Sequence, residues 1–194
     1  MNDTLVIDVE TKKSFAEVGG DRNVRALGVS IAGVYSYGRN EFTAFEEHEL
    51  PALGEMLKRA GHLVGFNIKG FDIPVLEPYF SRAHFLRFSV IDIFEDAVRF
   101  LGHRVGLDTV AKATLGMGKS GHGLEALQWF REGRVEEVKK YCLDDVRLTR
   151  DVYEYGKKHR HILFESRTDG KAHSIPVSWD ESPVIQSDLQ LSLF

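Results

Sequence analysis

The spacing of apolar and polar positions changes period several times along the chain, and each change predicts an element. Residues 4–11 are β-branched and almost wholly apolar, as in a central buried strand. Further strands are predicted over 26–35, 40–45, 62–66 and 88–92. Helical spacing predicts helices over 48–60, 71–80, 93–101, about 107–115, 123–132 and 135–156. Three strands in succession, then alternating helix and strand, predict an α/β fold: a mixed sheet flanked by helices. After the last helix, Asp169-Gly170 lies between two strand-like runs, 162–166 and 172–179, and predicts a β-hairpin. From Asp180 the chain turns polar, contains Pro183 and reads as a short tail.

Acids interrupt this pattern where apolar residues belong. With period two, Asp8 and Glu10 share a strand face with Val6, while Leu5, Ile7 and Val9 point the other way. Two carboxylates side by side on a buried strand repel each other and lose solvation unless paired or metal-bound. The alternative is that they end the strand at an exposed rim. On the helix over 135–156 the apolar stripe runs Val138, Tyr141, Leu148, Val152, and its missing member is Asp145. Asp145 therefore faces inward, one turn from Tyr141. Asp144 shares a solvated face with Glu137, Lys140, Arg147 and Asp151. A buried salt bridge would also account for Asp145, and core packing for Tyr141. Asp72 follows the apolar run 62–66 and precedes Pro74, which suits a first helical turn; Asp72 reads either as a helix cap or as a fourth acid. Asn67 is a turn residue by type and position.

Taken together, Asp8-x-Glu10, then Asn67 to Phe71-Asp72, then Tyr141-x-x-x-Asp145 resemble the three exonuclease motifs of the DEDD superfamily. The second motif carries one residue more than the family spacing. Tyrosine rather than histidine in the third motif, with Lys140 at the position of the alternative histidine, resembles the DEDDy branch and the proofreading domain of family B DNA polymerases. The resemblance spans roughly residues 3–155. It implies a ribonuclease H-like domain over 1–179, including a hairpin at 162–179, and a metal-dependent 3′–5′ exonuclease. By resemblance, two divalent cations, Mg²⁺ or Mn²⁺, sit about 4 Å apart. Asp8 would bridge them, Glu10 and Asp145 would hold one, Asp72 the other, and Tyr141 would orient the attacking water. Thr11, Asn67 and Phe71 are weaker candidates for contacts to the terminal nucleotides of a single strand.

The tail, 180–194, closes on Gln190-Leu191-Ser192-Leu193-Phe194, which resembles the pentapeptide that docks on the bacterial sliding clamp. Gln190, Leu191, Leu193 and Phe194 are its candidate contacts; the alternative is a tail packed on its own domain. This end favours DNA over RNA as substrate. An exoribonuclease of the same fold and a catalytically silent clamp-bound adaptor are the rival readings.

Length and composition fit one domain: 194 residues, 43% hydrophobic. No apolar run suits a membrane span and the N-terminus lacks a signal-peptide layout. The single cysteine, Cys142, excludes an internal disulfide and fits the cytoplasm. A net charge of −4 argues against a non-specific nucleic-acid coat, but not against a nuclease, whose acids lower the total. The basic pair Lys12-Lys13 follows the first motif, where phosphate contacts would be useful. Gly116 to Gly121 matches Gly-x-Gly-x-x-Gly, but it follows a helix rather than a strand, so it predicts a loop near substrate, with Lys119 a candidate phosphate contact. Asp92 is a possible fifth acid or a helix cap.

Overall fold

The computed structural model describes residues 3–118, 123–166 and 170–179. Strands β1 (Asp3–Thr11), β2 (Val29–Ser36), β3 (Glu41–Glu46), β4 (Ala60–Gly65) and β5 (Ser89–Asp92) form one sheet in the order β3-β2-β1-β4-β5. The β1–β2 and β2–β3 pairs are antiparallel; β1–β4 and β4–β5 are parallel. The strand carrying Asp8 and Glu10 is thus the central one, in keeping with its otherwise apolar, β-branched run.

Helices cover both faces. Leu5, Ile7 and Val9 point into a core shared with α1 (Leu50–Arg59), α2 (Asp72–Phe80) and α3 (Arg82–Phe85). Val6 points oppositely, into a core built with α4 (Ile93–Leu101), α5 (Leu107–Leu115) and α7 (Val135–His159). The hairpin β6 (His161–Glu165) and β7 (Ala172–Pro176) closes this second core through Ile162, Phe164 and Ile175. Between α5 and α7 lies α6 (Gly123–Arg131), whose Ala126 packs with Ile31, Val138, Tyr141 and Cys142.

Several boundaries differ from the sequence pattern. Residues 21–26 form a 3-10 helix with no buried side chain, so β2 begins at Val29 rather than at 26. Gly28, at φ +69°, turns the chain between them, and its carbonyl accepts the N–H of Lys12 at 3.0 Å. A second 3-10 turn, Glu47–Glu49, precedes α1, and α3 occupies the connection before β5. Helix α7 runs to His159 and stops at Arg160, which is left-handed at φ +61°. The hairpin strands span His161–Glu165 and Ala172–Pro176, so the second ends at 176 rather than at 179.

Candidate active site

The β1–β4 pairing ends at Val6↔Val64, while β1 continues to Thr11. Past Val6, therefore, the side of β1 toward β4 lies open, at the carboxyl end of two parallel strands. Crevices of this kind are where α/β sheets bind ligands. The turn after β4 folds into this space and delivers Asp72, whose carboxylate accepts the main-chain N–H of Val9. Helix α7 crosses the sheet above β1 and β2 and delivers Tyr141 and Asp145.

The result is a cavity of about 610 Å³ whose lining includes Asp8, Glu10, Asp72, Tyr141 and Asp145. Asp8, Glu10 and Asp145 each place an oxygen within 4.8 Å of the other two. Asp145 and Asp72 are both 3% exposed. Burial pushes the Asp72 carboxyl well above the ordinary carboxylate range, and the neighbouring charge of Asp8 pushes it further. Tyr141 is hydrogen-bonded to Asp145; burial first, then the charges of Asp145, Glu10 and Asp8, raise its pKa. Its hydroxyl thus remains a neutral donor. Trp129 supports the ring edge-on at 6.1 Å.

Cys142 is fully buried, and its thiol lies 3.4 Å from the Asp8 carbonyl oxygen and 3.6 Å from Asp8 Oδ2. Burial and three nearby acids raise its pKa, so it is a protonated donor rather than a nucleophile. Asp144, by contrast, pairs with Arg147 at 2.6 Å and does not line the cavity.

The donor set fits hard divalent cations. Among the described residues lining the cavity, four are carboxylates and Lys13 is the cation. Clustered, partly buried carboxylates of this kind need positive charge to offset desolvation and mutual repulsion. All-oxygen ligation suits Mg²⁺ or Mn²⁺. Asp72 stands beside the three-acid group, not within it, close enough for Asp8 to perturb it.

The weaker candidates also reach the cavity. Thr11, Asn67 and Phe71 line it, and Thr11 Oγ1 donates to the Lys13 carbonyl at 3.0 Å. Lys119 lies outside the described residues, as do Gln190, Leu191, Leu193 and Phe194. Of the basic pair, Lys12 pairs with Glu47 and Lys13 faces the cavity. Ser14, Phe15, Phe66 and Leu127 line it as well and carry no signal in the sequence. Phe15 is 41% exposed and meets Phe71 edge-on at 6.0 Å. It sits in an aperiodic loop, where no pattern separates a wall residue from a surface one.

Fold and acid cluster together place the chain in the ribonuclease H-like class. Residues 19–156 match RNase_H_2 of the RNase_H superfamily, and the chain belongs to that family. The matched stretch begins after β1, so Asp8 and Glu10 precede it. Among solved structures, the family B DNA polymerase from the hyperthermophilic archaeon Pyrobaculum calidifontis superposes with a TM-score of 0.61 at 18% identity. The superposition covers 80% of this chain and 24% of the polymerase, so this protein spans about a quarter of that chain. No protein of curated function matches the sequence. Among the described residues, no helix is long and apolar enough to cross a membrane.

Proposed function

We propose that this protein is a metal-dependent 3′–5′ exonuclease that hydrolyses single-stranded DNA ends by a two-metal mechanism. One observation carries the reading: three carboxylates with oxygens within 4.8 Å of one another, and a fourth beside them, in a cavity with aromatic walls. Asp8, Glu10 and Asp145 would hold one cation, and Asp72 with Asp8 would hold the other. When bound, the cations supply Lewis acidity and a water of lowered pKa. Tyr141, held neutral by its surroundings, orients that water through its hydroxyl. Phe15, Phe66 and Phe71 offer faces and edges against which bases stack without sequence preference. Lys13 and Thr11 reach the phosphate side. The segment 190–194 adds a partner, docking on a bacterial sliding clamp and bringing the enzyme to DNA.

The test is a product ladder. Single-stranded DNA and RNA labelled at the 5′ end are incubated with Mn²⁺, with Mg²⁺ or with EDTA. Stepwise shortening of DNA from the 3′ end, lost in EDTA, is expected. Full hydrolysis in EDTA would overturn the metal mechanism; shortening of RNA alone would assign the site to exoribonuclease chemistry.

A further inference from the structure

Asp72 is repelled by the charge of Asp8, and its carboxylate accepts the main-chain N–H groups of Val9 and of Asp72 itself; Phe71, the cap residue of α2, makes no side-chain capping bond. Its position depends on the turn from Phe66 to Phe71, which carries three cavity residues, Phe66, Asn67 and Phe71, and leads directly into Asp72 at the start of α2.

That turn is tightly built. Asn67 is left-handed at φ +67°, and its carbonyl accepts the N–H groups of Gly70 at 3.1 Å and Phe71 at 2.9 Å. A Cβ on Gly70 would lie 2.6 Å from Asn67 Oδ1, and one on Gly65 2.6 Å from Ile68 Cβ. The outward amides of the turn need an acceptor, and one buried carboxylate supplies it. Asp92 ends β5, beside Gly65, and is 4% exposed. Its Oδ1 accepts Asn67 N–H at 2.8 Å, and its Oδ2 accepts Lys69 N–H at 3.0 Å. The same Oδ1 caps α4, accepting Phe94 N–H at 3.1 Å and Glu95 N–H at 3.3 Å. The helix start is thus an anchor, and Asp92 transmits its rigidity to the turn.

We infer that Asp92 is a positioning residue of the active site, fixing the turn 66–71 so that Asp72 is held against Asp8 at the second cation position. It ligates no metal; it acts through the turn. The inference rests on the nuclease reading for its consequence in catalysis, though its structural content stands apart from that reading. Outer-shell partners of metal ligands typically govern about 10–100-fold in metal affinity or activity.

The experiment is a double-mutant cycle in the full chain, with Asp92→Ala, Asp72→Asn and both together. Mn²⁺ affinity is read by calorimetry, and hydrogen exchange at the Asn67 and Lys69 amides is read in the absence of metal. Asp92→Ala is expected to weaken Mn²⁺ roughly 10-fold and to strip protection from both amides. On the Asp72→Asn background it is expected to add little further loss. Asp92→Asn keeps one oxygen but sets an amide donor against another donor, so it falls between wild type and Asp92→Ala. Lys69→Ala removes only the exposed ion pair of Lys69 with Glu95 and is expected to leave Mn²⁺ affinity unchanged. If Asp92→Ala fails to fold, Asp92→Asn carries the same cycle. Additive losses in the cycle, or wild-type affinity in a folded Asp92 variant, would overturn the inference. Should the wild-type protein bind no Mn²⁺, the nuclease reading falls by itself; unchanged protection at Asn67 and Lys69 in the Asp92 variant would then overturn the positioning role separately.

Discussion

Two aspartates adjacent in the chain have opposite surroundings. Asp145 is buried with Tyr141, Asp8 and Glu10, while Asp144 is half-buried against Arg147. Asp145→Asn removes a ligand charge and should abolish cleavage; Asp144→Asn loses a surface pair of small value and should keep most activity. Rates on a labelled single strand in Mn²⁺ decide between them, and the reverse order would place the chemistry on the wrong face of α7. Tyr141→Phe leaves the ring against Trp129 and removes only the hydroxyl. Turnover should drop about 100-fold or more with fold and Mn²⁺ affinity kept. Asp72 gives a test of stability. Its folded carboxyl titrates above its unfolded value, because burial and Asp8 disfavour the charge. Stability from the protonated form is present below the unfolded pKa and is lost as pH rises through the folded one. In metal-free protein at a pH above the unfolded value, folding must either hold the charge in this site or take up a proton, so Asp72 is a net cost. Asp72→Asn should melt higher than wild type in EDTA at pH 7, and the gap should narrow as pH falls toward 4. Each ~1 kcal/mol would appear as about 2–4 °C in a chain of this size. A variant that melts lower at pH 7 would contradict the burial argument.

The long helix reaches the sheet through a gap left by one residue. Gly33 lies opposite Asp8 in the β1–β2 register, and a Cβ there would stand 2.8 Å from Cys142 Sγ and 3.0 Å from Val146 Cγ2. Gly33→Ala must push α7 away from β2, at a cost of about 1–3 kcal/mol. The same shift moves Tyr141 and Asp145 relative to Asp8, so activity should fall along with the melting temperature. An Ala variant with both unchanged would mean that the helix has slack here. This helix was legible in the sequence because 25 residues repeat one period, and a single acid in its apolar stripe stands out. The central strand was legible for a similar reason: its faces alternate cleanly between two cores. The turn 66–71 was only half legible. Asn67 announced it, but the Asp92 bonds join backbone amides to a side chain 23 and 25 residues on, and sequence pattern records no such pairing. Likewise Asp21–Ala26 buries nothing, so no periodicity marks it, and Phe15 reaches the cavity from a loop by tertiary placement alone.

Charge and reach belong to the molecule as a whole. Two divalent cations would cancel the formal charge of −4, so metal should decide both stability and nucleic-acid affinity. Mn²⁺ at about 100 times its Kd should stabilise by ~2.7 kcal/mol, a rise of roughly 5–10 °C in melting temperature. A melting temperature indifferent to Mn²⁺ would remove the metal site. The segment 190–194 acts at the same scale, because it would bring the whole domain to a partner rather than alter its chemistry. It combines a polar head, Gln190, with Leu191, Leu193 and Phe194 on a polar stretch that offers little else to bury. Docking into a preformed apolar groove gains hydrophobic energy from those three side chains and loses the entropy of an ordered segment. Affinity for an isolated clamp should accordingly be modest, and a ring-shaped clamp adds avidity only where several copies bind together. Removal of residues 190–194 should abolish binding to a bacterial sliding clamp in calorimetry. Hydrolysis of short single strands should be unchanged, since those need no clamp. Equal clamp binding by truncated and full-length protein would rule the motif out. A lower melting temperature on truncation, with no clamp binding by either form, would instead assign these residues to packing against their own domain.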